Sequence, residues 1–259
     1  MISRALLGVA LAIAIALVAR RARSLSASGA AAAAVIGALA VAAGWDWGIL
    51  VITYFASSSA LSRHGRVDKE RRTAAIVAKG GERDAVQVAA NGLVFALAAL
   101  AFLINANTRW FALGAGSLAA SAADSWATEL GTLYGGSPRS ILSWRAVPPG
   151  TSGGMSTIGT VAAVAGALFV ALAAALIGWR SAASAAFAGG VAGMLIDSVL
   201  GATLQQRRWC PVCQRETERT THDCGTPTAR RGGLAWLDND IVNLLSNAAG
   251  GLVAFALAR

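Results

Sequence analysis

The sequence predicts an all-α fold, a polytopic transmembrane helical bundle of about eight spans. Of its 259 residues, 56% are hydrophobic and only 14% are charged, whereas a soluble domain carries about a quarter charged residues. The charges cluster between long apolar runs, which is the pattern of membrane proteins. Alanine and glycine dominate these runs, so the helices can approach each other closely. We therefore treat residues 1–259 as a single integral membrane domain with a cytoplasmic loop at 205–236.

Eight apolar segments are long enough to cross a bilayer, which takes about 20 mostly apolar residues, or somewhat fewer with snorkelling flanks. They are 3–19, 27–44, 46–61, 85–104, 110–132, 155–178, 182–204 and 238–258. Between the second and third, Gly44-Trp45-Asp46-Trp47 is typical of an interfacial turn with an aromatic belt. Arg20, Arg21 and Arg23 follow the first apolar stretch, whereas a signal peptide carries its charge before that stretch, so we favour a retained helix.

The distribution of basic residues predicts which side of the membrane each loop occupies. With eight spans, nearly all of the 22 lysines and arginines lie in loops on one side. The exceptions are Arg4, Arg109, Arg180 and Arg259. This asymmetry predicts an inner-membrane protein with cytoplasmic basic loops and both termini on the non-cytoplasmic side. Anionic lipid headgroups or phosphorylated substrates explain the net charge of +9 better than nucleic acid does.

Two predicted helices carry the same motif of small residues followed by an acid. Gly116 precedes Asp124-Ser125 by eight residues, and Gly189 precedes Asp197-Ser198 by the same interval. A parallel duplication and a chance similarity between alanine-rich helices both account for this repeat. An acid inside a membrane helix costs several kcal/mol unless it is paired, hydrated or bound to a cation. We therefore predict functional roles for Asp124, Asp197 and their serines, against the alternative that the acids only pair with arginine or face water.

Further polar residues lie near the same predicted membrane face. Glu129 follows Asp124 by five residues, and Asn91 lies near the start of the fourth span. The last span opens with Asp238-Asn239-Asp240, followed by Asn243. Asp240 and Asn243 share one helix face, whereas Asp238 is equally well explained as a helix N-cap. These positions predict a polar site at the cytoplasmic boundary, shallower than the midplane site of a typical carrier.

Two glycine-rich loops at this boundary have the character of phosphate sites. Lys79-Gly80-Gly81, with Arg83, precedes the fourth span, and Gly150-Thr151-Ser152-Gly153 precedes the sixth. Backbone N–H groups at a helix N-terminus favour an anion, although such glycines also occur in plain turns. Ser58, at the end of the third span, could add a hydroxyl. Arg139, in the loop after the fifth span, could add a positive charge.

All three cysteines lie in the 205–236 loop. Cys210 and Cys213 form a C-x2-C half-site, and His222 and Cys224 could complete four zinc ligands. One residue between His222 and Cys224 is a tighter spacing than usual. Reduced thiols without metal are the main alternative, because disulfides are rare in a reducing compartment.

Several stretches resemble an integral membrane family that includes the plant phytyl-phosphate kinase of the vitamin E pathway and animal transmembrane protein 19. The resemblance covers about Phe55 to Ser246. It is carried by KGGERDAVQVAANG, ADSWATELGTL, VPPGTSGGMSTIGT, GMLIDSVLGATLQ and WLDNDIVNLLSN. It implies phosphorylation of an isoprenoid monophosphate to its diphosphate by a nucleoside triphosphate. More distantly, the sequence resembles phytol and dolichol kinases, in which an aspartate in a small-residue helix serves the nucleotide–metal site.

The resemblance and the polar residues together predict a membrane kinase for a phytyl, prenyl or polyprenyl monophosphate. We expect Asp124 and Asp197 to bind Mg²⁺ with the nucleotide, and Lys79, Arg83 and Arg139 to neutralise phosphate charge. The polar site is completed by Asn239, Asp240, Asn243 and Glu129. A transporter or lipid flippase is the first alternative, with the two Asp-Ser pairs as an ion or headgroup site. The second alternative is a non-catalytic scaffold that docks a partner through the zinc loop.

Overall fold

The computed structural model describes the backbone of residues 2–258 and the side chains of residues 6–258. Met1, Arg259 and the Arg4 side chain lie outside the described residues, and so do the predictions that concern them. The described helices are α1 Ile2–Arg21, α2 Ala27–Ala43, α3 Trp45–Arg63, α4 Arg66–Thr73, α5 Ala85–Ile104, α6 Arg109–Tyr134, α7 Thr157–Leu176, α8 Arg180–Thr203 and α9 Asn239–Leu257. Apart from α4, each coincides with one of the segments predicted from hydropathy.

The helical membrane character is confirmed, whereas the eight spans and the side of the termini stay predictions. Four of the described helices are long and apolar enough to cross a membrane by length and composition: α5, α7, α8 and α9. Helix α2 is apolar but has only 17 residues. The predicted turn between α2 and α3 agrees with the structure, because Gly44 alone separates the two helices.

On α7, large apolar side chains face outward and small residues face inward, which is the arrangement expected for a helix between lipid and the rest of the bundle. On α7, Val161, Leu168 and Leu172 are 65%, 44% and 54% exposed. The opposite face of this helix buries Gly166 and Ala167 against α6 and α8. Because the buried residues are small, the backbones approach closely and pack by van der Waals contact, as in membrane interiors.

The glycines of the two repeated Gly-Asp-Ser motifs both pack against α9. A Cβ atom added at Gly116 would lie 2.4 Å from the Ala254 Cβ and 2.9 Å from the Gly250 carbonyl oxygen. One added at Gly189 would lie 3.0 Å and 2.3 Å from the same two atoms. Helices α6 and α8 thus pack against the same notch of α9, which is formed by Gly250 and Ala254. Eight residues, about 12 Å along a helix, carry each of them from this notch to an Asp-Ser pair.

The two ends of the bundle differ in chemistry. At one end an aromatic cluster surrounds Trp47, whose ring centroid lies 5.2 Å from that of Phe95 and 4.8 Å from that of Trp179. The Trp179 indole donates to Asp46 at 2.7 Å, which joins the start of α3 to the start of α8. The basic loops and the polar residues lie at the opposite end.

The structure contains two small sheets at the basic end, which the all-α prediction did not include. Strands β1 Arg139–Ser140 and β2 Gly154–Met155 pair with each other. Strands β3 Arg207–Cys210, β4 Arg215–Thr217 and β5 Ala229–Gly232 form an antiparallel sheet in the order β4-β3-β5. The short helix α4 also lies here, within a region predicted as loop. Strands of two to four residues carry no readable alternation, so sequence periodicity did not predict them.

Candidate functional site

A polar cavity of about 570 Å³ opens at the basic end of the bundle. Its walls come from helices α3 to α9 and from the loops before α5, α7 and α9. The predicted site residues that line it are Lys79, Arg83, Asn91, Asp124, Ser125, Glu129, Gly150, Thr151, Ser152, Gly153, Asp197, Ser198, Asn239, Asp240 and Asn243. The fold therefore gathers residues that are more than 150 positions apart in the chain around one space.

The Asp124 and Asp197 side chains both line this cavity, and they differ in their partners. Among the described residues, none forms a hydrogen bond or an ion pair with the Asp124 carboxylate. Asp197 accepts a hydrogen bond at its Oδ2 atom from the Ser246 hydroxyl at 3.0 Å. With its amide nitrogen oriented toward Asp197, Asn243 donates to the same oxygen at 3.1 Å. Both residues thus line the cavity with carboxylate oxygens that have no hydrogen-bond partner among the described residues.

Asp240, at the start of α9, is held by a cation from a distant loop. Its side chain is only 6% exposed, and the Lys79 ammonium lies 2.5 Å from its Oδ2 atom. The same ammonium lies 3.1 Å from the Asp84 carboxylate. Although partial burial lowers it, hydrogen bonds and attraction from Asp240 and Asp84 raise the pKa of Lys79 overall. Lys79 therefore stays charged at the cavity wall at neutral pH.

Glu129 has a partner that sequence reasoning missed. The buried Lys69 of α4 forms an ion pair with Glu129. The Lys69 ammonium also donates to the Leu61 and Ser62 carbonyl oxygens at 2.8 and 3.0 Å. Lys69 thus satisfies the last turn of α3 and balances one acid of the cavity. The only sequence signal was a lysine within an amphipathic segment, and nothing in the sequence linked it to Glu129.

Buried polar side chains bond around Asn91, a residue of α5 that lines the cavity. The Asn91 carbonyl accepts a hydrogen bond from Ser121 at 2.9 Å, which ties α5 to α6. Asn247 is buried and donates to the Ala90 carbonyl at 3.0 Å and to the Asn91 side chain at 3.5 Å. These bonds satisfy polar groups within the bundle, where an unpaired one would be costly.

The loop before α7 lies against the end of α8. Gly153 has a φ of +74°, and a Cβ there would lie 2.8 Å from the Ala202 backbone nitrogen, so only glycine fits. The neighbouring Ser152 hydroxyl donates to the Glu218 carboxylate at 2.7 Å. Gln205 donates to the same oxygen, also at 2.7 Å. Burial is the largest influence on Glu218 and raises the pKa of its carboxyl, which those hydrogen bonds offset in part.

A second, apolar cavity of about 230 Å³ meets the polar one. It lies between α1, α2, α3 and α5 and is lined by side chains such as Ile15, Ile36 and Phe55. Both cavities share Arg83, Gln87 and Asn91 as lining residues. The Arg83 guanidinium forms no ion pair with any of the residues described. A cation with no ion-pair partner among the described residues thus lies where an apolar groove meets a polar chamber.

Two predicted site residues lie outside the cavity lining. Ser58 is fully buried in α3, and its hydroxyl has no partner among the described residues. The neighbouring Ser59 reaches the cavity instead. Arg139 is exposed on β1, where its guanidinium donates to the Trp144 carbonyl at 2.8 Å. The helical phase of α3 and the β1–β2 pairing turn these two side chains away, and neither was readable from the spacing.

The Cys210, Cys213, His222 and Cys224 side chains cluster beyond the cavity, at the tip of the β4-β3-β5 sheet. Their ligand atoms all lie within 4.8 Å of one another. Among the residues the structure describes, this is the one group of three or more histidine, cysteine or acidic side chains with such close spacing. The predicted zinc ligands are therefore brought together.

Comparison with known protein families identifies the family to which this chain belongs. Residues 10–251 match the family described as integral membrane protein DUF92. The chain belongs to this family. The match confirms the membrane family expected from the motifs and covers every helix that lines the cavity. No solved structure matches the chain.

Several curated relatives support the assignment to the DUF92 family. Protein PGR of Arabidopsis thaliana is 31% identical over 234 residues, which cover 79% of this chain and 78% of that protein. An uncharacterized membrane protein of Synechocystis is 30% identical over 222 residues, with 83% and 75% covered. The chloroplastic protein VTE6 of Arabidopsis thaliana is 29% identical over 218 residues, covering 82% of this chain and 58% of that protein.

Proposed function

We propose that this protein is a membrane kinase that converts an isoprenoid monophosphate to its diphosphate with a nucleoside triphosphate. The observation that carries the proposal is the junction of two cavities at Arg83, Gln87 and Asn91. One cavity is polar and holds open carboxylates and cations, while the other is apolar and lies among lipid-facing helices. A phosphorylated lipid has the same two-part chemistry. The family resemblance to the plant phytyl-phosphate kinase supports the same reaction class.

The acids of the polar cavity fit a magnesium–nucleotide site. Mg²⁺ is commonly bound by one or two carboxylates together with substrate phosphate oxygens. Asp124, which lacks a protein partner among the described residues, and the open oxygen of Asp197 would supply the carboxylates. When bound, the ion would neutralise charge on the phosphoryl group being transferred. Ser125 and Ser198 lie beside these acids and can donate hydroxyl hydrogen bonds to phosphate oxygens.

Cations and polar loops would hold the two phosphorylated substrates. Arg83 lies where the groove meets the chamber, so it would bind the monophosphate of a lipid whose tail occupies the groove. Lys79 and the Gly150–Gly153 loop line the chamber and would contact the nucleotide phosphates. Asn239, Asp240 and Asn243 would order this wall, with Asp240 fixing Lys79.

The proposed reaction needs no proton abstraction. An oxygen of the lipid monophosphate, already anionic, attacks the γ-phosphorus of the nucleotide. A new P–O bond forms, the bond between the γ-phosphorus and the β–γ bridging oxygen breaks, and a nucleoside diphosphate leaves with its electron pair. Positioning and charge neutralisation account for most of the catalysis in such transfers. The acids and cations at this cavity suit that requirement.

The membrane arrangement we propose is eight spans with the polar cavity at the cytoplasmic face. The basic loops surround the cavity, and the positive-inside rule places such loops in the cytoplasm, where nucleotides are available. A transporter would also need a path to the other side. There the described helices pack Trp47, Phe95 and Trp179 into a closed aromatic cluster, which favours an enzyme over a carrier.

The experiment is an activity screen with the purified full-length chain in nanodiscs. Phytyl, geranylgeranyl and farnesyl monophosphates are each incubated with ATP, GTP, CTP or UTP and Mg²⁺, and lipid products are identified by mass spectrometry. We expect a diphosphate product that requires Mg²⁺ and disappears in Asp124→Asn. Folded, monodisperse protein that forms no diphosphate in any combination would contradict the proposal.

A further inference from the structure

The four side chains at the tip of the β4-β3-β5 sheet lie close enough together to bind one metal ion. The Cys210 and Cys224 sulfurs lie 3.6 Å apart, and His222 Nδ1 lies 3.4 Å from the Cys224 sulfur. Bond lengths of about 2.3 Å for Zn–S and 2.0–2.1 Å for Zn–N give ligand separations of about 3.5–3.8 Å at tetrahedral angles. The two observed distances lie close to these separations.

The backbone on both sides of the cluster is shaped to aim these ligands inward. The Cys213 N–H donates to the Cys210 sulfur at 3.4 Å, and Gln214 follows with a φ of 50°. Such a turn presents both cysteines of a C-x2-C motif to one point. An N–H bond to sulfur also stabilises a thiolate ligand. The first half of the site is therefore built by local structure.

The second half explains the short spacing between His222 and Cys224. The Gly225 N–H donates to the His222 carbonyl at 2.8 Å, and the His222 N–H donates to the Thr226 carbonyl at 3.0 Å. Gly225 has a φ of +79°, which suits glycine. This tight turn brings the two side chains to the same side although one residue separates them.

A disulfide does not explain this cluster. The 3.6 Å separation of the Cys210 and Cys224 sulfurs is far longer than an S–S bond of about 2.05 Å. The chain has three cysteines and two histidines, and all three cysteines and one histidine meet here. We propose that the protein binds one structural zinc ion through Cys210, Cys213, His222 and Cys224.

The zinc site stabilises a sheet that has little apolar support of its own. Strands β3, β4 and β5 have four, three and four residues, and most of their side chains are exposed or half-buried. Short isolated strands need a further source of stability. Metal binding supplies it, because the binding free energy of a structural zinc ion contributes to folding.

The same sheet contacts the wall of the polar cavity. The Glu218 N–H donates to the Ile76 carbonyl at 2.8 Å. The Arg219 guanidinium donates to the Val77 carbonyl at 2.9 Å. Two residues after Val77 comes Lys79, the partner of Asp240. The zinc site therefore also orders the 74–81 segment and, with it, the cation of the cavity. This consequence rests on contacts and does not depend on the reaction proposed above.

The first test is metal content, measured by plasma mass spectrometry on full-length protein purified through a tag without histidine. We expect about one zinc per chain, and its loss in His222→Ala and Cys224→Ser. His64→Ala is the matched control, since His64 is the other histidine and bonds Tyr134 away from the cluster. Unchanged zinc in both cluster variants, or no zinc in the wild-type protein, would overturn the site even if kinase activity were present.

The second test concerns the ordering of the cavity wall. Hydrogen–deuterium exchange is compared before and after zinc removal with a chelator. We expect faster exchange in 206–232 and also in 74–81, with α7 unchanged as the internal reference. Faster exchange confined to 206–232 would contradict the link to the cavity wall. Cobalt substitution provides an independent readout, because tetrahedral cobalt with thiolate ligands absorbs strongly in the visible range.

Discussion

The Lys79 ammonium lies 2.5 Å from the Asp240 carboxylate and joins the loop before α5 to the first turn of α9, 161 residues later. Asp240 is buried, whereas the Lys79 side chain is 44% exposed to the cavity. This geometry lets the Lys79 ammonium pair with the buried Asp240 carboxylate and also bind a phosphate group of a ligand in the cavity. It also predicts how the two roles separate under mutation.

Replacing Lys79 should remove both roles, and a second variant distinguishes them. Lys79→Met leaves Asp240 buried without its partner, which costs roughly 1–3 kcal/mol, so the apparent Tm should fall. Adding Asp240→Asn removes the unpaired charge and should restore most of the apparent Tm. Kinase activity should stay low in both variants because the cavity has lost a cation. Equal apparent Tm values for the single and double variants would contradict the pairing.

Asp124 and Asp197 should be essential for activity and not for folding. Replacing either by asparagine should lower kcat by on the order of 100-fold or more, since metal stabilisation of a transferring phosphoryl group is worth several kcal/mol. The apparent Mg²⁺ affinity should weaken in parallel. Asp46→Asn is the matched control, because Asp46 lies at the other end of the bundle and bonds Trp179. A scaffold would show no phenotype for Asp124→Asn or Asp197→Asn, and such a result would count against the enzyme.

The apolar groove should control the response to tail length. Ala33 lines the groove on α2, whereas Val35 on the same helix is 61% exposed on the outer surface. Ala33→Phe should reduce kcat/KM for geranylgeranyl monophosphate by about tenfold, the scale of losing a few apolar contacts. Dimethylallyl monophosphate should be affected much less, and Val35→Phe should affect neither. A uniform loss for both substrates with Ala33→Phe would argue against a tail site.

The shared notch on α9 should determine the stability of the bundle. A Cβ at Gly189 would lie 2.3 Å from the Gly250 carbonyl oxygen, so Gly189→Ala must push α8 from α9. Overpacking of this kind costs typically 1–3 kcal/mol, and the apparent Tm in detergent should fall. At Gly80 an added Cβ meets nothing within 4 Å, so Gly80→Ala is the control. Similar melting curves for the two variants would contradict this packing.

Glu218 gives a prediction for pH. Burial raises the pKa of its carboxyl above the usual 4.5. The folded protein therefore holds this proton more tightly than the unfolded chain. The protonated carboxyl contributes to the free energy of unfolding at acidic pH, and this contribution is lost as the pH rises through the raised pKa of the folded protein. Glu218→Gln keeps an acceptor for Ser152 without the buried charge. The apparent Tm of the variant relative to wild type should increase from acidic to neutral pH. A difference independent of pH would contradict a buried carboxylate here.

Much of the fold was readable from the sequence because lipid imposes strong constraints on composition. Apolar runs of about 20 residues predicted the long helices, and Gly44 predicted the break between α2 and α3. Asp124 and Asp197 stood out because acids are rare in such helices. The cysteine cluster was readable from the C-x2-C spacing.

Other features depend on contacts that no local pattern records. The Lys69 pairing with Glu129 spans 60 residues, so only the folded chain reveals it. Its position at the end of α3 predicted Ser58 as a site residue, yet the rotation of α3 buries it and presents Ser59 to the cavity. The groove is lined mainly by apolar residues of four helices, and its volume depends on how these helices pack, which composition alone does not determine.

The most direct test of the central claim follows the γ-phosphoryl group itself. Purified protein in nanodiscs is incubated with Mg²⁺, a prenyl monophosphate and nucleoside triphosphate labelled with ³²P in the γ position, and the lipid is then extracted. We predict label in a prenyl diphosphate, with the Asp124→Asn variant leaving the organic phase unlabelled. Label found only as inorganic phosphate, or absent from the lipid at every nucleotide tested, would contradict the account.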